Sequence, residues 1–558
     1  MAKKINDLEP KLVSVIKDGY SLPTFGKDLM AGIIVGIVAL PLSIAFAIAS
    51  GVKPEQGIIT AVIAGFLISS LGGSRFQIGG PTGAFIVIVY DVVQKYGYEG
   101  LATATIMAGV MLVIMGFARL GDAIKFIPYP VTIGFTSGIA LIIFSTQVKD
   151  FFGLTIAHMP DRFIPKWAAY IEHLSTVNWD SFLLASLTVL IVVAWPRVTK
   201  RLPGPLIAIF FTTLLAKMLH MPVDTIGSRF GEISNHFPQP HIPTINLDTL
   251  TKLSSSAIAI ALLAGIESLL SAVVADGMTG RKHRSNMELI GQGVANIVTP
   301  IFSGIPATGA IARTATNIKN GGQTPVSGIV HSITVLILFL FFGKFAALIP
   351  MATLAGILVV IAYNMSEWHL FLKMLHTSKG DITVLLITFL LTVLVDLTVA
   401  IEVGVILAAF LFMHRVVAVT QVGFVTSSLD EEDPDDPYAI HKHSVPQGVE
   451  VFEINGPFFF GAADKFRDML REIQKKPKIL ILRMRHVPSI DATGMRALED
   501  LHEQALKDKT QIIISGMSDT LFERLKHFGF VEKIGESFIH KTIDQALDHA
   551  RSLLEYKL

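Results

Sequence analysis

Two short stretches, Gly80-Pro81-Thr82-Gly83-Ala84 and Pro306-Ala307-Thr308-Gly309-Ala310, interrupt hydrophobic regions and share Thr-Gly-Ala at a displacement of 226 residues. Pro81 suits the first turn of a helix, where its missing N–H would be an orphan anyway, and the small residues after it leave the backbone uncrowded. Two half-helices starting tip to tip near the midplane would aim free N–H groups and positive dipole ends into one cavity, which is a site for an anion. Thr82, Gly83 and Ala84 at one tip and Thr308, Gly309 and Ala310 at the other are the candidate contacts. Arg313 follows the second tip by less than one turn and is expected to add its charge; the alternatives are an arginine that snorkels to the surface or pairs with an acid.

Glu267 lies in the otherwise uncharged span 253–275, with Ser271 one turn further on the same face. An intramembrane carboxylate marks a functional site by default. Glu267 either takes up a proton, or coordinates Na⁺ together with Ser271 and backbone carbonyls, or is held structurally by helix termini. At the same displacement Pro41 of the first span falls on Glu267, which makes Leu42, Ser43 and Phe46 candidate lining residues; a kinking Pro41 and a packing Phe46 are the plain alternative. Asp396 and Glu402 are expected at an interface or in local pairs.

These residues need a membrane framework. Of 558 residues 51% are hydrophobic and only 16% charged, outside the range of ordinary soluble domains. Twelve apolar spans lie between residues 28 and 414, each near the length that crosses a bilayer. The glycine-rich stretches 79–94 and 307–319 bring the total to fourteen, seven in each half. An odd number per repeat inverts the second copy. Gly51 onto Gly277 at 226, and Ile127-Pro128 and Gly134 onto Ile349-Pro350 and Gly356 at 222, support the duplication. With the N-terminus inside, Arg75, Arg119, Arg197, Arg281, Lys282, Arg284, Lys373 and Arg415 also fall inside, so both termini are expected in the cytoplasm.

The expected domains are a cytoplasmic N-terminal segment (1–27) without a cleaved signal, a transport domain (28–420), an acidic linker (421–447) and a small α/β domain (448–558). In the last, 449–455, 478–485 and 511–515 read as strands and 462–474, 494–506 and 543–554 as helices. The net charge of +1 gives no reason to expect nucleic acid as a partner. There is no cysteine, no metal-ligand spacing and no phosphate-binding loop, so neither an enzyme, a cofactor nor ATP-driven pumping is expected, only H⁺ or Na⁺ as a coupling ion.

Leu40 to Ala47, Gly72-Gly73-Ser74-Arg75 leading to Gly79–Phe85, Gly265–Leu270 running to Asp276–Gly280, and Gly304–Arg313 together resemble the SulP, or sulfate-permease-like, anion transporters. The resemblance covers nearly the whole chain. It implies an all-α polytopic membrane domain of fourteen segments in two inverted repeats with two half-helices, joined to a cytoplasmic α/β STAS domain. It also implies that backbone groups of Gly83, Ala84, Phe85, Ala310, Ile311 and Ala312 hold the anion, with Arg313 nearby. Glu267 and Ser271 resemble the acid-plus-hydroxyl arrangement that binds Na⁺ in the bicarbonate-transporting branch, which tends to carry Asp in place of this Glu. The run Ile266 to Gly280, with Gly291-Gln292-Gly293, looks most like the bacterial branch that includes a proton-coupled C4-dicarboxylate transporter. Ser489–Gly494 resembles the STAS loop whose hydroxyl, here Thr493, is phosphorylated in anti-sigma-factor antagonists; regulation, or docking of a cytosolic protein, competes there with helix capping.

The resulting expectation is an integral protein of the bacterial inner (plasma) membrane, a homodimer surrounded by lipid. It is read as a secondary transporter of a small anion, with a dicarboxylate favoured over sulfate or bicarbonate and H⁺ coupling through Glu267. A Na⁺-coupled bicarbonate transporter, an uncoupled channel or exchanger, a nucleobase symporter and a membrane receptor are the other readings.

Overall fold

The computed structural model describes residues 7–122, 128–157, 159–160, 162–199, 203–231, 236–243, 247–395, 397–419, 421–424, 443–471 and 476–555. Asp396 and most of the expected acidic linker lie outside these residues. The chain divides into two compact units, Met1–Ala408 and Ala409–Leu558.

The first unit is helical: α1 (Lys11–Lys17), α2 (Leu22–Ala49), α3 (Pro54–Leu71), α4 (Ile86–Phe117), α5 (Tyr129–Phe152), α6 (Phe163–Glu172), α7 (Trp179–Val198), α8 (Gly204–Met218), α9 (Ile226–Phe230), α10 (Leu247–Thr279), α11 (Ser285–Ile301), α12 (Ile311–Lys319), α13 (Val326–Ala346), α14 (Met351–Met365), α15 (Trp368–Met374), α16 (Lys379–Leu394) and α17 (Leu397–Val419). Gly97, at φ 68 and ψ −175, breaks α4 and separates a short piece from the full-length span after it. Counting α4 as two pieces, α2 to α8 without the short α6 give seven segments. The second seven are α10 to α14, α16 and α17. Seven helices among the described residues are individually long and apolar enough to cross a membrane.

Several helices begin where the sequence supplies a start. Pro54 opens α3, Pro128 and Pro350 are the N-caps of α5 and α14, and Asn178 and Ser378 cap α7 and α16 with their side chains. The halves interlock through small residues that let backbones approach. A Cβ on Gly134 of α5 would sit 2.6 Å from the Leu385 carbonyl of α16, and one on Gly356 of α14 would sit 2.7 Å from the Ala185 carbonyl of α7. The 222-residue displacement thus carries one crossing onto the other. Likewise Gly109 of α4 and Gly293 of α11 face each other's carbonyls.

At the start of each half, however, the structure corrects the displacement. The left-handed glycine that ends α2 is Gly51 (φ 74), but the one that ends α10 is Gly280 (φ 69), 229 residues on, while Gly277 lies inside α10. Strand β1 (Gly79–Gly80) falls on β2 (Thr308–Gly309) at the same 229. The two Thr-Gly-Ala motifs are therefore out of register by almost one helical turn, because the first opens a helix and the second is strand. Pro41 accordingly corresponds to Leu270, not to Glu267.

Two fully buried carboxylates staple the loops between segments. Glu288 of α11 accepts from the Gly73 and Ser74 N–H groups (2.8 and 3.0 Å) and from the Gln77 and Gln292 side-chain amides (both 2.9 Å). Asp28 of α2 accepts from the Gln323 and Thr324 N–H groups (2.7 and 3.1 Å) and from the Tyr20 hydroxyl (3.0 Å).

The second unit holds a five-stranded sheet in the order β3 (Gln421–Phe424), β4 (Val449–Asn455), β5 (Ile479–His486), β6 (Gln511–Ser515) and β7 (Ile539–His540), parallel except for β3. β3 lies inside the stretch expected to be linker, and four residues ahead of an acidic run carry too little pattern to be read as a strand. Helices α18 (Phe460–Arg471), α19 (Ala492–Asp508), α20 (Asp519–His527) and α21 (Phe530–Ile534) pack on Phe452, Leu480, Leu482, Ile512 and Ile514. The alternate residues Val449, Val451, Ile479, Ile481 and Ile513 face α22 (Ile543–Glu555).

His540 and His549 share a hydrogen bond of 2.8 Å, and burial, then the neighbouring His549, holds His540 below the ordinary imidazole value. The unfolded chain therefore binds more protons below about pH 6.5, so this contribution to stability is present above that pH and is lost as the pH falls through it. Amide protection factors of α22 in the full chain should fall between pH 7.5 and 5.5, and His549→Gln should flatten the change (pH values of about these magnitudes bracket the free imidazole); pH-independent protection factors would contradict this. Glu288→Ala strands two backbone N–H groups, so it should destabilise the solubilised protein by on the order of 3 kcal/mol, read as a lower melting temperature, and an unchanged melt would show that the staple is dispensable.

Candidate functional site

β1 and β2 pair antiparallel, Gly79 with Gly309 and Gly80 with Thr308, and the Ala310 N–H donates to the Ile78 carbonyl at 2.9 Å. α10 clamps this ribbon. The Thr308 hydroxyl donates to the Ala264 carbonyl at 2.9 Å and the Gly309 N–H to the Ser268 hydroxyl at 3.2 Å. Thr308, Gly309 and Ala310 are buried, with these groups committed to the framework, so the contacts expected of Gly309 and Ala310 N–H groups with an anion are corrected. Ile311 and Ala312, which open α12, are exposed.

At the first tip Thr82 precedes a 3₁₀ turn, Gly83–Phe85, that runs into α4. The Phe85 N–H returns to the Thr82 carbonyl at 3.3 Å, which leaves Gly83 and Ala84 as the leading N–H groups. Atoms of Phe46, Ile143 and Met365 lie 3.6 to 3.7 Å from where a Gly83 Cβ would be. Leu42 is half-buried on the same helix as Phe46. Ile143 and Met365 carried no sequence signal, because they are single apolar residues of α5 and α14.

Arg313 connects the tips. It is 3% exposed, and its Nη2 donates to the Pro81 carbonyl (3.2 Å) and to the Ser43 hydroxyl (3.3 Å), which itself donates to the Ala39 carbonyl (2.7 Å). Nη1 has no hydrogen-bond partner among the described residues. It lies against Gly80, where a Cβ would be 2.6 Å away and where φ is +153. This arginine neither snorkels nor meets a carboxylate among the described ion pairs, so an anion at the tips would supply its counter-charge.

Glu267 Oε2 accepts from the Thr82 hydroxyl at 3.0 Å. Ser271 points elsewhere: its hydroxyl donates to Thr314 Oγ1 at 3.2 Å, and the same oxygen accepts from the Ile78 N–H at 3.1 Å. The expected acid-and-hydroxyl pair is thus divided between two networks: one turn apart along the same face of α10, roughly 6 Å, Glu267 meets the first tip and Ser271 meets α12. His331 of α13 was overlooked in the sequence. It is fully buried, neither ring nitrogen has a partner among the described residues, and Arg313 is within electrostatic reach. A lone histidine in an apolar span was the available signal.

In the second unit, Thr493 is half-exposed. The cap of α19 is Asp491, which accepts from the Gly494 N–H at 2.7 Å and from the Phe460 N–H at 3.1 Å. The capping reading of Thr493 is therefore wrong, since Asp491 stands at the extended residue ahead of the helix and Thr493 is already within it.

Residues 25–388 match the sulfate permease family and residues 443–546 the STAS domain. The chain belongs to the sulfate permease family. Among its relatives is "Putative sulfate transporter YvdB" of Bacillus subtilis (strain 168), 43% identical over 94% of this chain and 98% of that one. The bicarbonate transporter BicA of a Picosynechococcus species is 32% identical over 94% of each chain. The solved transmembrane domain of a cyanobacterial BicA covers 70% of this chain and 98% of its own, at 31% identity and a TM-score of 0.62. Murine Slc26a9, an anion transporter solved in the inward-facing state, shares the fold over 99% and 95% of the two chains, with a TM-score of 0.87 at 20% identity. This sulfate permease family member is accordingly an integral membrane anion transporter with a STAS domain, and not an enzyme.

Gly80→Ala would drive a methyl into Arg313 Nη1 and strain the backbone. Anion uptake should fall about tenfold or more with membrane insertion intact; uptake within twofold of the unmodified protein would show that Arg313 does not depend on this cradle.

Proposed function

We propose that the chain is a secondary active transporter that carries a small oxyanion between the two helix tips and couples it to H⁺ through Glu267. The observation that supports this best is Arg313, a buried guanidinium whose Nη1 lies beside Gly80 with no hydrogen-bond partner among the described residues and whose Nη2 meets the Pro81 carbonyl, two residues ahead of Gly83. Phe46 lies beside Gly83, and Leu42 on the same helix and Ile311 and Ala312 at the start of α12 are assigned to the same place in this reading. Site-directed charge of this kind attracts carboxylate, sulfate and bicarbonate alike. The Ile266–Gly280 run favours a C4-dicarboxylate such as succinate or fumarate, while the names of the relatives favour sulfate or bicarbonate. Cytoplasmic termini, a homodimer and a regulatory role for Thr493 belong to the same reading.

Proton coupling is preferred to Na⁺ on one observation: Glu267 has a hydroxyl partner on the first tip, and Ser271, the second ligand a Na⁺ site would require, is engaged with Thr314. A carboxyl that bonds Thr82 directly can report its protonation to the N–H groups one residue on. Proteoliposomes given labelled succinate, sulfate and bicarbonate under imposed pH or Na⁺ gradients test this. One of the three should accumulate under an inward proton gradient, and Glu267→Gln should abolish the gradient dependence while the protein still inserts. Accumulation driven by Na⁺ alone, or an unchanged pH response in the variant, would remove Glu267 from the coupling step.

A further inference from the structure

α13 packs along α2 and α3. Among its residues His331 is fully buried, and neither ring nitrogen has a hydrogen-bond partner among the described residues. A buried polar group left so is costly, and membrane spans keep such groups where function uses them. Glycines fix its place. A Cβ on Gly36 of α2 would sit 3.0 Å from the His331 carbonyl, and one on Gly65 of α3 would sit 3.4 Å from His331 Cε1, the ring atom between the two nitrogens. The Gly65 position is also 3.2 Å from the Gly79 carbonyl of β1. One residue further along the ribbon, a Cβ on Gly80 would sit 2.6 Å from Arg313 Nη1 and 3.5 Å from the Ala61 Cα. Ala61 and Gly65 lie one turn apart on one face of α3, so the ring and the guanidinium approach that face roughly 6 Å apart, beside consecutive residues of β1.

The two groups are complementary. A guanidinium only donates, whereas a neutral imidazole keeps one acceptor nitrogen. Arg313 is within electrostatic reach of His331, and its Nη1 is likewise without a partner among the described residues. The elements packed on α13 bring no other charge to this level: α2 carries none over 29–49 and α3 none over 56–71. Asp28, near the start of α2, is taken up by Gln323 and Thr324, and Lys319 stands in the last turn of α12.

We propose that His331 is a positioning residue for Arg313: its acceptor nitrogen holds Nη1, directly or across one water, while no anion is bound, and gives it up to the arriving oxyanion. This rests on the transport reading above. A site that releases its anion leaves a buried guanidinium behind, and that state is costly without an acceptor. His331 lowers the cost of the empty site, so it weakens net binding of the anion and speeds its release. A hydrogen bond to a charged group is worth about tenfold or more in such an equilibrium.

The test is uptake by the full chain in vesicles, with whichever of labelled succinate, sulfate and bicarbonate the unmodified protein takes up. His331→Leu removes the acceptor, so the half-saturating concentration and the maximal rate should both fall about tenfold, because the anion is bound more tightly and leaves more slowly. Lost packing alone does not tighten binding. His331→Gln, whose amide oxygen is again an acceptor, should stay within about threefold of the unmodified protein on both. A half-saturating concentration that is unchanged or raised in His331→Leu, or lowered equally in His331→Gln, overturns the assignment. A second readout does not depend on the leucine variant folding: nitrogen NMR of the unmodified chain with labelled histidine, the His331 signals being those lost in His331→Gln. The acceptor-nitrogen resonance should shift when the same anion is added to saturation, and a resonance that stays in place overturns the assignment as well. No uptake of any of the three anions by the unmodified protein overturns the transport reading instead.

Discussion

In hydrocarbon every backbone N–H and C=O requires a partner, and a helix that starts halfway across a membrane violates this at its first turn. The two-residue ribbon of β1 and β2 resolves the conflict here. It pairs the extended residues that lead into both half-helices, Gly79 with Gly309 and Gly80 with Thr308, and Ala310 closes it onto Ile78. Only the N–H groups beyond the ribbon are left to face a ligand. Glycine at three of the four paired positions keeps room for what crosses the ribbon, and at Gly80 that is the guanidinium of Arg313.

α10 is the element that ties this ribbon to the rest. Along about two turns it presents the Ala264 carbonyl to Thr308, Glu267 to Thr82, the Ser268 hydroxyl to Gly309 and Gln77, and Ser271 to Thr314. One helix therefore touches both tips, and it does so with one ionisable side chain among neutral groups. The proposed function rests on this arrangement in giving charge attraction to Arg313 and coupling to Glu267. On that proposal a change in the protonation of Glu267 acts on Thr82, which begins the turn whose leading N–H groups are those of Gly83 and Ala84.

Much of this was legible in the sequence because glycine and proline punctuate apolar segments strongly. Pro128 and Pro350, Gly134 and Gly356 marked equivalent crossings, and Arg313 and Glu267 announced themselves as charges where charge is expensive. The displacement of the first segments was misread because identical letters, Thr-Gly-Ala, occur where the backbone is doing two different things. Small residues are common in membrane helices, and only the left-handed Gly51 and Gly280 fix the register. Glu288 and Asp28 escaped notice because they sit near helix ends, where an acid reads as a surface residue until the loop folded over it is seen. Thr493 was given the role that Asp491 fills, since both stand within two residues of the helix start.

The most direct measurement is a structure of the chain with a heavy-atom analogue of the anion that vesicles take up, selenate for sulfate or bromosuccinate for succinate, located by its anomalous scattering. The account predicts one peak within hydrogen-bond reach of the leading N–H groups of both tips and of Arg313 Nη1. A peak that touches neither tip, in a protein that still transports the analogue, would contradict it.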